Sequence, residues 1–389
     1  MKNHNYGFAT RAIHTGNAAD KETGAIKRPI TLANSFVLPD DPTDLNWSSA
    51  GGSLYTRNGG PNQQYLQERL ASLEGGEDCV VLASGVAALS GLFFSLLKSG
   101  DHIIFSSITY IAVYRLLNEL FNNKFNIETS LIDTSDIAAI EAAIRPNTKL
   151  IHIETPGNPT ICINDIAAIA NLAHKNGALL SVDNTFASPY NQRPVELGAD
   201  FSVESLTKYI NGHGDALGGA IIGKKQYLDV VRAQAQVNLG GVIAPFNAWL
   251  IMRGVATLPL RMRQHNENAL KVARFLESRS EVRFVAYPGL ESHPSHALAK
   301  KQMSGFGGTL AFGLHTDHNG HNQFVSRLQV ITSAVSLGHD ASLIVFFGEN
   351  DERMYLFPKE FHGGFFRFSV GLEDAEDIIR DLEEALGGR

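Results

Sequence analysis

Short apolar segments alternate with helical segments between Pro61 and Gly223, and this alternation constrains the fold more than any other feature. The apolar segments read CVVLAS, HIIFSS, IETSLID, KLIHIET, ALLSVDN, DFSVES and GGAIIG. Such runs are typical of strands buried on both faces, and helices between them predict a mostly parallel sheet in an α/β domain. Ligands of such sheets bind beyond the carboxyl ends of the strands. Functional residues are therefore expected directly after each strand.

The rest of the chain predicts two further parts. Residues 1–60 are rich in Gly, Asn, Pro and Thr and lack periodicity, which predicts an extended arm that packs on another subunit. Beyond Gly254, a helix that begins at Arg261, the strands VRFVAYPG, GTLAFGLH and GFFRFSVG, and a closing helix predict a smaller α+β domain with an antiparallel sheet. We expect an arm at 1–60, a large domain at 61–254 and a C-terminal domain at 255–389.

Composition excludes several classes of function. The 389 residues carry a formal net charge of −7, without the basic excess of a nucleic-acid-binding or membrane-surface protein. Two distant cysteines, Cys79 and Cys162, exclude a disulfide scaffold. The first residues lack the apolar core of a signal peptide, and no apolar stretch is long enough to span a bilayer. We expect a soluble cytoplasmic enzyme.

Polar or small residues with binding potential follow successive strands of the predicted sheet. They are Ser84, Gly85 and Val86 in LASGVAAL, Asn158 in ETPGNP, Asp183 in SVDNT, and Ser205, Thr207 and Lys208 in ESLTKY. Taken singly, Asp183 suits a helix cap or turn, and Asn158 suits a turn. Together they describe a ligand with a phosphate for helix N-terminal amides and hydroxyls, a basic ring nitrogen for Asp183 and a carbonyl for Lys208. Pyridoxal 5′-phosphate (PLP) has all three.

A long, ordered set of motifs resembles one enzyme family. The motifs are TRAIHTG, SLYTRNGGP, RLASLEGG, LASGVAAL, ETPGNP, SVDNTFASPY, RPVELGAD, SLTKYINGHGD, LIMRGVATLPLRM, VAYPGL and RFSVGLEDAEDII. They resemble the Cys/Met-metabolism (trans-sulfuration) family of PLP-dependent enzymes, which includes methionine γ-lyases and cystathionine γ-synthases. The resemblance implies the aspartate-aminotransferase-like fold (fold type I), with a seven-stranded, mostly parallel sheet and a smaller C-terminal α+β domain.

The resemblance also implies roles for the residues around the cofactor. Lys208 forms the Schiff base with PLP and carries protons, and Asp183 keeps the ring nitrogen protonated. Tyr110 stacks on the ring and acts as an acid or base. Tyr55 and Arg57 reach the phosphate of a neighbouring subunit, which implies a homotetramer built from two active dimers. The remaining cofactor residues are Ser84, Gly85, Val86, Asn158, Ser205 and Thr207.

The substrate side of the site is implied in the same way. Arg367 binds the substrate α-carboxylate, for which its planar guanidinium is suited. Asn158 and Ser336 flank cofactor and substrate. Val335 stands where cystathionine-handling members have glutamate, which argues against cystathionine and favours a methionine γ-lyase-like enzyme. Ala112, where methionine γ-lyases have cysteine, argues against strict methionine specificity.

The segment from Phe346 to Gly364, FFGENDERMYLFPKEFHGG, departs most from the family pattern. Its carboxylates Glu349, Asp351 and Glu352 could meet a cationic distal group, as a canavanine γ-lyase requires; the alternative is a surface loop without a catalytic role. We expect α,γ-elimination on a γ-substituted, methionine-like or canavanine-like L-amino acid. The alternative is γ-replacement, as in cystathionine γ-synthase or O-acetylhomoserine sulfhydrylase.

Two other interpretations carry less weight. A non-catalytic, cofactor-binding regulator is disfavoured because Lys208, Asp183 and Arg367 are all present. The histidines of HTDHNGH (His315, His318 and His321) have a spacing that metal ligands use, but the polar segment predicts a surface loop, and we expect no metal.

Overall fold

The larger sheet of the molecule is mostly parallel, as the sequence predicts. The computed structural model describes residues 6–38, 40–41, 43 and 54–387. The strands of this sheet are β1 (Asp78–Leu82), β2 (His102–Ser106), β3 (Glu128–Ile132), β4 (Thr148–Glu154), β5 (Leu179–Asp183), β6 (Phe201–Ser205) and β7 (Gly219–Gly223). Their order is β1-β7-β6-β5-β4-β2-β3. Strand β7 is antiparallel to both neighbours, and the other neighbouring pairs are parallel.

Helices in the first part of the chain cover this sheet. They are α1 (Phe8–His14), α2 (Pro61–Glu74), α3 (Gly85–Leu96), α4 (Ile111–Arg115), α5 (Asn122–Phe125), α6 (Ile137–Ala143), α7 (Ile166–Lys175), α8 (Ser188–Asn191) and α9 (Lys225–Val231). A π-helical turn joins α4 to α5, and another follows α9. Helix α1 corrects the prediction of an extended arm: the apolar side of Phe8–His14 buries Ala12 and packs near α2 and a long helix at Pro245–Glu277.

Burial on both faces explains why the parallel strands are continuously apolar. Along β2, Ile103 and Phe105 pack into one core while Ile104 packs into another on the opposite face. Each fully buried side chain of this size contributes about 1.5–3 kcal/mol relative to exposure. The sheet is therefore a rigid base for the residues at the carboxyl ends of its strands.

The C-terminal part has its own sheet, which is antiparallel apart from one short pair. Its strands are β8 (Val282–Ala286), β9 (Thr309–Leu314), β10 (Thr332–Ser333), β11 (Leu343–Phe347) and β12 (Phe365–Ser369), in the order β10-β11-β12-β9-β8. The helices are α10 (Pro245–Glu277), α11 (His296–Gln302), α12 (His318–Arg327) and α13 (Ala375–Leu386). The three predicted strands are present as β8, β9 and β12, and β10 and β11 are additions.

Two sequence predictions in this part were wrong. The long helix begins at Pro245, well before Arg261, and continues through Pro259, so it crosses the expected domain boundary at Gly254. The HTDHNGH segment is not a loop throughout, because α12 begins at His318 and buries His321 against Phe346 and Phe366. Burial against aromatic rings gives that histidine a packing role. In the described part of the chain, no group of three or more His, Cys, Asp or Glu could hold a metal ion.

The described residues contain no helix of the length and apolar character needed to cross a membrane.

Candidate active site

A cavity of about 570 Å³ lies where the carboxyl ends of the central strands face the C-terminal sheet. Most of the predicted site residues line it: Ser84, Gly85, Val86, Tyr110, Asn158, Asp183, Ser205, Thr207, Lys208, Val335, Ser336 and Arg367. Tyr55 and Arg57 do not line it within this one chain. The fold thus brings residues at the strand ends of the larger sheet, which meet at one edge as expected, together with Val335, Ser336 and Arg367 from the C-terminal part of the chain.

Lys208 lies partly buried in this cavity, three residues beyond the end of β6. Its Nζ donates a hydrogen bond to Ser336 Oγ at 2.7 Å. Burial, and after it the positive charge of Arg367, lower the pKa of Lys208 to about 8. A substantial fraction of the amine is therefore neutral near pH 8, and the neutral amine is the form that attacks a carbonyl.

Ser336 links Lys208 to the substrate side of the cavity. Its hydroxyl lies 3.1 Å from His339 Nε2 in addition to its contact with Lys208, and its carbonyl accepts a hydrogen bond from Arg367 at 3.0 Å. Its φ of 89° is unusual for a residue other than glycine. Strain of this kind persists where surrounding contacts fix the conformation, as these contacts do.

Arg367 projects from β12 with unused donors. Its NH1 donates to Asn158 Oδ1 at 2.9 Å, and its guanidinium lies over the Phe347 ring, 5.7 Å from the centroid. Burial lowers the pKa of Arg367 to about 10, so it is a cation at neutral pH. Its buried Nε has no acceptor in the described structure. A guanidinium has five N–H donors, and those left over suit a ligand carboxylate.

The N-terminus of α3 and the hydroxyls of Ser205 and Thr207 form a site suited to a phosphate. Ser84 caps this 12-residue helix by accepting a hydrogen bond from Ala87 N–H, and the helix begins at Gly85 and Val86. First-turn N–H groups have no acceptor within a helix, so they favour anions. A Cβ at Gly85 would lie 2.9 Å from Ser205 Oγ, and glycine therefore allows the close approach of helix and strand.

Asp183 ends β5 with one carboxylate oxygen held and the other available. Thr185 donates to Oδ1 from both its N–H (3.1 Å) and its hydroxyl (2.6 Å). Burial raises the pKa of Asp183, and the hydrogen bonds from Thr185 oppose this change. A protonated ring nitrogen beside Asp183 would supply the missing countercharge. With the lysine and the anion site, this residue set fits PLP.

Glu154, the last residue of β4, was missed from the sequence. Its Oε2 accepts from the Tyr110 N–H at 2.6 Å and the Thr109 hydroxyl at 3.3 Å, and its Oε1 accepts from the Asn158 N–H at 3.0 Å. Burial and then the charge of Asp183 raise the pKa of Glu154 well above its ordinary value. Glu154 is the first residue of ETPGNP, and its position at a strand end was the signal that could have identified it.

The carboxylates of the Phe346–Gly364 segment do not line the cavity. Asp351 forms an ion pair with Arg353 of the same segment, Glu352 pairs with Arg115 at 2.7 Å, and Glu349 is exposed. The expectation that they could face a substrate is thus not met in this structure. Arg353 lines the cavity instead.

Tyr55 and Arg57 lie together outside the cavity. The Arg57 guanidinium is 5.3 Å from the centroid of the half-exposed Tyr55 ring, and Gln236 Nε2 donates to the Arg57 carbonyl at 3.1 Å. The Arg57 backbone is thus held, while both side chains are exposed and neither lines this chain's own cavity. Contact with another subunit remains a prediction.

Known proteins resemble the chain along almost its whole length. The family model for Cys/Met metabolism PLP-dependent enzymes matches residues 9–387. Canavanine gamma-lyase of Pseudomonas canavaninivorans is 52% identical over 382 residues, which cover 97% of this chain and 96% of the relative. L-methionine gamma-lyase of Porphyromonas gingivalis is 41% identical over 390 residues, 98% of this chain and 97% of the relative.

A solved structure supports the fold in the same way. The crystal structure of cystathionine gamma-lyase from Lactobacillus plantarum in complex with L-serine superposes with a TM-score of 0.90 at 38% identity, covering 98% of this chain and 99% of that one. The predicted aspartate-aminotransferase-like fold is confirmed. Together with the family match and a cavity whose residues fit PLP, this places the chain in the Cys/Met-metabolism family of PLP-dependent enzymes.

Proposed function

We propose that this protein is a PLP-dependent γ-lyase that eliminates the γ-substituent of an L-amino acid, with canavanine as the preferred substrate and methionine as a weaker one. One observation carries the proposal: Lys208, Asp183 and Arg367 share a cavity whose wall contains the exposed, uncharged Val335, in a chain 52% identical to two canavanine gamma-lyases. A valine at this position offers no partner for the distal ammonium of cystathionine.

The residues of the chain supply binding and proton transfer. Arg367 and Asn158 orient the α-carboxylate, so that the Cα–H bond is directed at Lys208. Lys208 Nζ then takes the Cα proton, because its lowered pKa leaves it neutral in part of the population near pH 8. Loss of the γ-group also requires removal of a Cβ proton, which Lys208 Nζ takes after it has released the first one, and the Tyr110 hydroxyl supplies a proton to the departing γ-group. Asp183 and the α3 N-terminus would hold PLP, which would supply an electron-withdrawing ring.

Charge in the cavity wall is compatible with a cationic leaving group. Arg353 lines the wall, but Asp351 pairs with its guanidinium at 3.0 Å, so the two residues together add no net charge. An unpaired arginine there would repel a second guanidinium group. The pair therefore admits canavanine as well as uncharged substrates.

We also propose that the active unit contains more than one subunit. Tyr55 and Arg57 would bind the cofactor phosphate of a neighbouring chain in a homotetramer of two active dimers. Their exposure and their position outside this chain's own cavity support this assignment. A cytoplasmic location suits the two free thiols, Cys79 and Cys162.

A substrate panel on the purified holoenzyme tests the function. L-canavanine, L-methionine, L-cystathionine and O-acetylhomoserine, the last with and without a thiol, are supplied while 2-oxo acid, ammonia and amino-acid products are measured. We expect canavanine to give the highest kcat/KM without an added nucleophile, and Lys208→Ala to abolish it. If O-acetylhomoserine were the one substrate turned over, and if its turnover required the thiol, the protein would instead be a γ-replacement enzyme.

A further inference from the structure

The peptide group between Thr109 and Tyr110 is held at both ends by side chains, those of Arg353 and Glu154. Arg353 NH1 donates to the Thr109 carbonyl at 2.7 Å, and Glu154 Oε2 accepts from the Tyr110 N–H at 2.6 Å. This C=O and this N–H belong to one planar unit, so two strong hydrogen bonds fix the rotation of that plane. Tyr110 is the residue before α4, and the plane therefore sets the direction in which its ring leaves the backbone.

Arg353 is itself held firmly within the Phe346–Gly364 segment. Its Nε and NH2 donate to the two oxygens of Asp351, at 3.1 and 3.0 Å, and its guanidinium lies 5.3 Å from the centroid of the Phe357 ring. Its side chain is only 3% exposed. A buried arginine without a partner is costly, and this bidentate pair both neutralises the charge and fixes its geometry.

The same segment contacts α4 again at the surface. Glu352 pairs with Arg115 at 2.7 Å, with side chains 42% and 57% exposed, and the Tyr355 hydroxyl lies 3.2 Å from that of Tyr114. Exposed contacts of this kind contribute little energy. They show that the segment lies along α4, while the buried Arg353 contact determines the backbone at Tyr110.

The hydrogen-bond chain continues to the far side of the cavity. From Glu154 it passes through the Asn158 N–H at 3.0 Å, and from Asn158 Oδ1 to Arg367 NH1 at 2.9 Å. Tyr110, Asn158 and Arg367 all line the cavity. Arg353 thus lies at one end of a continuous network that has the proposed carboxylate-binding arginine at the other.

We infer that Arg353 is a positioning residue for Tyr110: by holding the Thr109–Tyr110 peptide group against Glu154, it aims the tyrosine at the departing γ-group. The inference deepens the proposed γ-elimination and rests on it for the role of Tyr110. It also assigns a task to the Phe346–Gly364 segment, which acts through an arginine and its paired aspartate and not through free carboxylates.

Arg353→Gln tests this assignment, with Arg353→Lys as the conservative variant and Glu352→Gln as the matched control in the same segment. In Arg353→Gln holoenzyme we expect kcat for elimination to fall at least ~10-fold, since small displacements of a reacting group have effects of this size, while KM changes less than ~3-fold. Lysine, which can still donate one bond, should recover part of the loss, and the Glu352 control should resemble wild type.

Two further readouts separate positioning from general damage and from a wrong substrate. The first is exchange of the Cα hydrogen of L-norleucine, which has no leaving group, with solvent deuterium; we expect Arg353→Gln to retain it within ~3-fold because Lys208 carries that step. The second is deuterium uptake at the backbone around Tyr110, which should rise in the variant even without substrate. If no amino acid on the panel undergoes γ-elimination, the proposed function fails, but the amide exchange still tests whether Arg353 positions the backbone at Tyr110.

Either of two results would overturn the inference. One is an Arg353→Gln enzyme with wild-type elimination and unchanged amide exchange at Tyr110. The other is equal loss of elimination and Cα exchange, which would indicate collapse of the site. If Arg353→Gln does not fold, Arg353→Lys provides the test. An unaltered kcat and unaltered amide exchange in that variant would exclude a role for the bidentate geometry.

Discussion

Lys208 combines burial with a nearby cation, and each has a measurable consequence. Because burial lowers its pKa to about 8, the neutral amine needed to capture a carbonyl becomes the major form only above that pH. We predict that apoprotein recaptures added PLP at a rate that rises with pH through about 8. Removing the nearby charge in Arg367→Met should move this midpoint upward. A stopped-flow absorbance series from pH 6 to 10 measures both, and a midpoint near 10 in wild type would contradict the prediction.

Ser336 allows strain to be separated from hydrogen bonding. Ser336→Ala and Ser336→Gly both remove the hydroxyl that accepts from Lys208, so kcat should fall about tenfold in each. They should differ in stability, because glycine adopts a φ of 89° freely and alanine does not. We expect the glycine variant to be more stable than the alanine variant by about 1 kcal/mol in denaturant unfolding of the holoenzyme. Equal stabilities would show that the backbone here is not strained.

Single residues were predictable where their chemistry recurs at a fixed place in the fold. Asp183 and Lys208 follow strands directly, and a parallel sheet brings such residues to one edge. Glu154 also ends a strand, but that position was its one signal, because a buried glutamate that binds only backbone and hydroxyl groups leaves no further pattern. The role of Arg353 could not be predicted from the sequence, because it depends on the path of an irregular segment that no hydrophobic periodicity encodes.

At the scale of elements, the large sheet was predicted better than its surroundings. Runs such as KLIHIET are apolar because both faces are buried, so sequence and burial agree. Strand β11 was missed because its apolar residues run directly into the polar, atypical Phe346–Gly364 segment. The start of α10 was missed because Gly254 and Pro259 lower helix propensity locally, whereas close packing against Asn211 favours the glycine there.

Helix α2 and strand β6 are joined by a buried pair of glutamates, which makes stability depend on pH. Glu74 and Glu204 both receive a hydrogen bond from Asn184 Nδ2, and each has an Oε2 that lacks a donor in the described structure. One proton shared between them would satisfy both oxygens. Burial raises the pKa of Glu74 from its ordinary value of 4.5 to about 7, and burial together with Glu74 raises the pKa of Glu204 well above its ordinary value.

We therefore predict that wild-type stability falls as the shared proton is lost. A raised pKa in the folded state gives stability that is complete below the unfolded pKa of 4.5 and is lost as pH rises through about 7. Glu204→Gln supplies a permanent donor. The decrease in the free energy of unfolding between pH 5 and 8 should therefore be ~2 kcal/mol smaller in this variant than in wild type. Urea unfolding of the holoenzyme at several pH values measures the difference, with the exposed Glu291→Gln as control. Parallel pH profiles for wild type and Glu204→Gln would refute the shared proton.

At the scale of the whole molecule, the cavity exists only because two sheets face each other. Asp183 ends β5 and Lys208 follows β6 of the larger sheet, while Ser336 follows β10 and Arg367 lies in β12 of the C-terminal one. Periodicity predicts each sheet separately but not how they meet. The resemblance to a family predicted which family residues of the two parts share the cavity. It predicted no role for Arg353, which lies in the segment that departs from the family pattern.

If the active site is completed by a neighbouring chain, two inactive variants should restore one another. Lys208→Ala lacks the reacting amine, and Arg57→Ala lacks the cation proposed for the neighbour's phosphate. A hybrid dimer of the two has one site with both defects and one site with neither. Since random pairing gives half hybrids and each hybrid has one intact site, co-expressed variants should reach about a quarter of wild-type activity. Activity no greater than the sum of the separate variants would mean that Arg57 serves only its own chain.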